Sequence, residues 1–316
     1  MDKPFRVLFM GTSDFAVPAL EALHSAGYMI PLVVTQPDRP AGRGLELKES
    51  PIKKKALQLQ LPVFQPEKIK SPDAGEILQT AAPDVAVVTA YGQILPASVL
   101  QLPKLACLNI HGSILPKYRG AAPIHYAVMN GEKETGVTIM YMNEKMDEGD
   151  ALLVKKTPIG AQENTGEVHD RLAKLGAEGL MEALELLKQG KAPRQPQDSS
   201  QASYAPSLKR EQGFIHWDKP AREIANQVRG LSPWPVAETK WKEMELKVHV
   251  ASAEPSFAPG KAPGQVLYVG KEGLKIVAGD HGIVLLKEIQ PPGKRRMSAY
   301  EFSIGHPQFG PGEMLS

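Results

Sequence analysis

A short apolar run ending in glycine or a polar turn, followed by a stretch with helical spacing, recurs through the first half of the sequence. It limits the fold more than any other feature. FRVLFMG at residues 5–11 is such a run, and FAVPALEALHSAG at residues 15–27 then keeps its apolar residues on one helical face up to a closing glycine. IPLVVTQ, LPVFQ, DVAVVTA, LACLNI and VTIMYM have the same strand character, with helical patterns between them over residues 51–61, 72–82 and 123–130. Runs that are apolar throughout, rather than at alternate positions, belong to strands buried on both faces. The expectation is an α/β domain with a Rossmann-like, mostly parallel sheet, whose ligand crevice lies beyond the carboxyl ends of the strands.

A single core stops growing near ~250 to 300 residues, so a chain of 316 residues is expected to form two domains. Residues 165–189 carry Val168, Leu172, Leu175, Leu180, Leu184 and Leu187 at helical spacing and read as a long helix closing a first domain, residues 1–190. Residues 191–207, KAPRQPQDSSQASYAPS, lack periodicity and read as an extended surface linker. In residues 208–316 the pattern changes: KWKEMELKVHVA, GQVLYVG, GLKIVAG and GIVLLKEIQ are short strands separated by glycine-bounded turns. A small antiparallel β-barrel of five strands is expected there.

Several classes are disfavoured. With 42% hydrophobic and 23% charged residues the composition is that of a soluble globular protein, and no run approaches the ~18 apolar residues of a membrane span. Strand-like sequence begins within five residues of the start, so no secretion signal is expected. The single cysteine, Cys107, sits in an apolar strand, which suits a buried filler in a reducing cytoplasm. FMGTSDF has one glycine where a dinucleotide fingerprint needs three, there is no phosphate-loop motif, and the eight histidines show no ligand-spaced cluster. A dehydrogenase, an NTPase and a metal enzyme are therefore not expected.

The polar residues at one strand end stand out. LACL runs into NIHGSILPKYRG, placing Asn109 and His111 two residues apart just before a glycine. Positions i and i+2 of a strand share a face, so both side chains point to one side at the ligand edge of the sheet. An Asn amide can donate to a developing oxyanion and a His can move protons near pH 7; a hydrogen-bonded turn that merely ends the strand uses the same residues. A second strand, VTIMYM, leads into NEKMDEGD, where Asp147 could orient the imidazole and help carry protons, or simply form a turn.

NIHGSILPKYRGAAPIHYA followed by GVTIMYMNEKMDEGD resembles the folate-dependent formyltransferases, whose core carries an Asn-x-His pair, an S-[LI]-L-P turn and a downstream D-x-G. MGTSDFAVPAL, TQPDRPAGRG and VRGLSPWPVA extend the likeness over essentially the whole chain. The resemblance implies Asn109, His111 and Asp147 as the catalytic trio, and Ser113, Ile114, Leu115 and Pro116 as part of a tetrahydrofolate site. Ile114 stands where many members have leucine, a change that conserves volume. It implies a formyltransferase domain joined to an OB-like barrel that contacts tRNA. The implied donor is 10-formyltetrahydrofolate without a metal, the implied acceptor a methionyl initiator tRNA, and a monomer is expected. Formylation of another amine, hydrolysis of the formyl-folate, and a non-catalytic folate- or RNA-binding role are the alternatives.

The loop at residues 35–55 is long for a strand-to-helix connection, commonly ~2 to 6 residues. The resemblance makes it a tRNA-contacting insertion with Arg43 as the contact, while Lys53, Lys54 and Lys55 read as a solvated helix face. The net charge is +2, with 15 basic against 12 acidic residues from Lys209 onward, so the C-terminal part is mildly basic. Lys294, Arg295 and Arg296 are a second candidate phosphate contact, and Trp217, Trp234 and Trp241 read as structural.

Overall fold

The computed structural model describes residues 4–41 and 46–316. The chain forms two compact units, Met1–Gly120 with Thr135–Thr157 and His169–Tyr204, and Ala121–Glu134 with Pro158–Val168 and Ala205–Ser316.

The chain opens with β1 (Val7–Gly11), α1 (Val17–Ser25), β2 (Val33–Val34), a short hairpin β3 (Arg39–Ala41) and β4 (Glu46–Lys48), then α2 (Pro51–Gln58) and β5 (Val63–Phe64). It continues through α3 (Pro72–Thr80), β6 (Val85–Thr89), α4 (Ala97–Leu100), β7 (Ala106–His111), α5 (Pro123–Met129), β8 (Glu134–Tyr141), β9 (Ala151–Pro158) and α6 (Thr165–Lys188). The main sheet has the order β5-β2-β1-β6-β7-β8-β9. Pairings from β5 through β7 are parallel and that of β7 with β8 is antiparallel. Every residue of β1 and of β6 is buried, as their unbroken apolar runs require. Leu8, Met10, Val34, Leu78, Val88 and Val99 share one core cluster, each contributing about 1.5–3 kcal/mol through burial.

Helix starts follow from local chemistry. α2 and α3 each carry proline in the first turn behind a serine cap, Ser50 accepting from the Lys53 N–H and Ser71 from the Ala74 N–H. β9 was not expected: its last six residues alternate between half-buried and exposed, because it is the edge strand and only one face packs. Residues 191–204 do not run free, since Gln195 exchanges backbone hydrogen bonds with Ala151 and the Ser203 carbonyl accepts from the Arg119 N–H.

The second unit contains α7 (Ala221–Gly230), β10 (Ala237–Trp241), β11 (Met244–Phe257), β12 (Val266–Gly270), β13 (Gly273–Val277), β14 (Gly282–Gln290), β15 (Met297–Ser298) and α8 (Ala299–Gly305). Its antiparallel sheet runs β10-β11-β14-β13-β12, with β15 on β14. KWKEMELKVHVA, expected as one strand, is a hairpin: Trp241 pairs with Met244 around Lys242, which takes φ 54°. The edges β10 and β12 are joined by the C-terminal residues. Ser316 and Lys240 exchange two backbone hydrogen bonds, Leu315 N–H donates to Gly264, and Val266 N–H donates to Glu313. Trp217 and Trp241 lie in the enclosed core. Trp234, expected as structural, is 62% exposed, set between two prolines just after α7.

Candidate active site

β7 presents the two polar residues as period-two geometry demands. Asn109 pairs with Met140 and His111 with Thr138 on β8, so both side chains emerge on one face at the carboxyl end of β7. His111 is 6% exposed, and its Nε2 lies 2.9 Å from the Tyr118 carbonyl oxygen. A carbonyl can only accept, so Nε2 carries the hydrogen and Nδ1 is the ring atom left to exchange a proton. That atom lies 3.6 Å from Asp147 Oδ2, while Asn109 Nδ2 lies 3.5 Å from Asp147 Oδ1. The carboxylate thus stands between the amide and the imidazole.

Asp147 reaches this position from a turn of unusual shape. Its backbone has φ 54°, a left-handed conformation that Asp tolerates better than most residues; it costs about 1–3 kcal/mol and persists only where the surroundings hold it. Gly120 N–H donates to Oδ2 at 2.8 Å. Gly149, the glycine of D-x-G, is required by proximity: a Cβ there would sit 1.7 Å from the Tyr141 carbonyl oxygen. Gln197 Nε2 donates to the Asp147 and Gly149 carbonyls at 2.8 and 2.7 Å. Arg119, 2% exposed, donates through Nε and Nη2 to Gln197 Oε1, and its Nη1 lies 3.3 Å from Glu148 Oε1.

A cleft of about 220 Å³ opens beside these groups, lined by residues 93–95 after β6, Asn109, Met140 and residues 142–147. Asn109 and Asp147 form part of its wall, with the exposed side chains of Ile94 and Met146 on its lining. His111 lies behind Asp147. The Ser113 to Pro116 turn follows directly after His111 and is tightly held. Ser113 Oγ donates to the Lys117 carbonyl at 2.6 Å, and Thr138 Oγ1 both donates to the Ser113 carbonyl and accepts from the Leu115 N–H. Ser113 and Leu115 are buried, whereas Ile114 and Pro116 keep partly open surfaces.

Other candidates resolve differently. Arg43 lies outside the described residues. Near the foot of its loop, Lys53 pairs with Asp38 and Glu49, and hydrogen bonds from Lys53 and Gln65 hold the Asp38 carboxyl below its usual range; Lys55 pairs with Glu21. Arg295 and Arg296 pair with Glu301 and Glu288. Burial pushes the Cys107 thiol up to about 12, which makes it an inert filler. A groove of about 580 Å³ in the second unit is lined partly by Arg229, whose Nη1 donates to the Gly160 and Glu163 carbonyls. Among the described residues no group of three or more His, Cys, Asp or Glu side chains could hold a metal ion, and no helix is long and apolar enough to cross a membrane.

Arg119, Glu148 and Gln197 were not singled out in the sequence. A buried arginine looks like any other in YRG, and Gln197 lies in a segment that reads as linker. Only the recurrence of glutamine among the prolines of APRQPQ departs from a plain surface linker.

The family described as formyl transferase matches residues 5–184, and its C-terminal domain matches residues 207–307. The chain belongs to the formyl transferase family. It is 50% identical over 310 residues to the methionyl-tRNA formyltransferase of Moorella thermoacetica, covering 98% of this chain and 99% of that one. It is 49% identical over 300 residues to the methionyl-tRNA formyltransferase of Syntrophus aciditrophicus, covering 95% of this chain and 96% of the other. The fold resembles that of HypX from Aquifex aeolicus in complex with tetrahydrofolic acid, with a TM-score of 0.64 and 18% identity over 95% of this chain. This formyl transferase spans 47% of that longer chain.

Proposed function

We propose that this formyl transferase moves the formyl group of 10-formyltetrahydrofolate to the α-amine of methionine esterified to initiator tRNA, giving the formylmethionyl-tRNA that starts translation. Half-identical relatives of nearly equal length are named methionyl-tRNA formyltransferases, which supports formyl transfer to methionyl-tRNA. The observation that carries the chemistry is the placement of Asn109 and Asp147 on one cleft wall, 3.5 Å apart, with His111 behind the carboxylate.

The amine attacks the formyl carbon, the carbonyl oxygen becomes an oxyanion, and the C–N10 bond then breaks. One proton must leave the amine and one must reach N10. An α-amino group has a reference pKa near ~8 and an adjacent ester lowers it, so much of the amine is neutral at pH 7 without a strong base. Stabilising the tetrahedral oxyanion is then the demanding step. Asn109 Nδ2 donates to the oxyanion. Asp147, which reaches the cleft, accepts the amine proton and returns one to N10. His111 Nδ1 faces that carboxylate and holds or releases a proton beside it, while its Nε2–H is committed to Tyr118.

The formyl-bearing end of the folate enters the cleft beside Asn109. Ile114 and Pro116, which stand outside the lining of that cleft, offer their partly open surfaces to the rest of the folate, and Ser113 and Leu115 keep the turn in shape. Arg43 contacts the acceptor end of the tRNA. Purified protein incubated with 10-formyltetrahydrofolate and charged initiator tRNA is expected to release formylmethionine after ester hydrolysis. No formylmethionine, with an amino sugar or another small amine formylated instead, would overturn the assignment.

A further inference from the structure

We infer that Gln197, held by the buried Arg119, is a positioning residue that sets the Asp147 carboxylate against Asn109 and His111; this rests on the catalytic reading of Asp147 given above. One side-chain amide spans the whole D-x-G turn, donating to the Asp147 carbonyl at 2.8 Å and the Gly149 carbonyl at 2.7 Å. The guanidinium decides which end of that amide faces the turn. Arg119 Nε and Nη2 lie 3.2 and 2.9 Å from Gln197 Oε1, and because a guanidinium only donates, the oxygen must face Arg119 and the NH2 the turn.

The same guanidinium holds the middle residue of the turn, Nη1 standing 3.3 Å from Glu148 Oε1. The next residue in the chain, Gly120, donates its N–H to the Asp147 carboxylate at 2.8 Å. Residues 147, 148 and 149 are therefore all fixed from one short stretch, Arg119 and Gly120, with Gln197 as the intermediary. Burying a guanidinium is costly unless its N–H groups are matched. Among the described residues, its side-chain matches apart from Ser199 Oγ at 3.5 Å are Gln197 and Glu148, which shape this turn. A left-handed Asp147 needs such support from outside its own loop.

Two variants separate the possibilities, and Gln197 is only half buried, so both are expected to fold. Gln197→Ala removes both donations. Gln197→Glu keeps an acceptor for Arg119 but turns an oxygen toward the two carbonyls. Both are expected to lower kcat about 10- to 100-fold, the cost of a small misplacement of a reacting group, with KM for folate and tRNA close to wild type. Both should also speed hydrogen exchange at the Gly120 amide toward the rate seen in Asp147→Ala. In an Asp147→Ala background, Gln197→Ala is expected to have no further effect on kcat. Wild-type kcat with a protected Gly120 amide in Gln197→Glu would overturn the inference, as would a fall in kcat while that amide stays protected. Faster exchange with unchanged kcat would uphold the positioning and overturn the catalytic role of Asp147 instead.

Discussion

A side chain at Gly149 would meet the Tyr141 carbonyl oxygen at 1.7 Å, so the turn that carries Asp147 can take its shape only with glycine there. Gly149→Ala is expected to displace the carboxylate and lower kcat by about 10², with a smaller effect on folate KM, as measured by single-turnover formylation. Asn109→Ala removes one oxyanion donor and should lower kcat about 10²- to 10³-fold; a variant with normal turnover would remove Asn109 from the mechanism. Asp147→Asn keeps an oxygen that accepts from Gly120 but cannot take a proton. It should cripple the chemical step while leaving folate affinity nearly intact by equilibrium titration. Of these residues, Asn109 and His111 were legible because strand period places i and i+2 on one face, whatever surrounds them. The place of Asp147 was not, since 38 residues separate it from Asn109 and nothing local states where its turn will land.

At the level of elements, the least local feature is the closure of the antiparallel sheet by the chain end. Residues 313–316 pair with the edges of both β10 and β12, and Glu313 Oε2 accepts from Trp241 Nε1 at 2.6 Å and pairs with Lys242 at 3.1 Å. The Trp241 hydrogen bond, then that of Lys242, hold the Glu313 carboxyl below its ordinary value of 4.5. A carboxyl depressed in the folded state adds stability above its unfolded pKa, and that stability is lost as pH falls through the folded one. Denaturation followed by tryptophan fluorescence should therefore show a loss of stability below about pH 4.5 that is shallower in Glu313→Gln. Equal pH profiles would show that this contact does not hold the closure. The β14 run, the helix starts behind Ser50 and Ser71 and the parallel strands were readable because each is dictated by a few neighbouring residues. The β10–β11 hairpin was not, because its turn uses Lys242 and Glu243 rather than glycine and asparagine.

For the whole molecule, the net charge of +2 is too small to dictate nucleic-acid binding, and specific cations must do so. Arg295 and Arg296 already face carboxylates, and the family resemblance points to Arg43 as the other candidate. Affinity for tRNA should fall steeply with added salt, and Arg43→Ala should reduce the slope of log K against log salt by about 1, while Arg295→Ala leaves it nearly unchanged. A salt-independent affinity would remove the phosphate contacts altogether. The sequence by itself determined the α/β and antiparallel classes, the order of most strands and helices, and the placing of Asn109 and His111 on one strand face, because hydrophobic period, capping and the strand-end motif act over a few residues; Asp147 joined them only through the family resemblance. Tertiary structure alone decided that residues 191–204 belong to the first unit, that the last residues close the second sheet, and that a buried Arg119 reaches Gln197, 78 residues away, to hold the Asp147 turn. Those pairings depend on which distant backbone carbonyls and donors come together once the core has closed, and no local pattern encodes that distance.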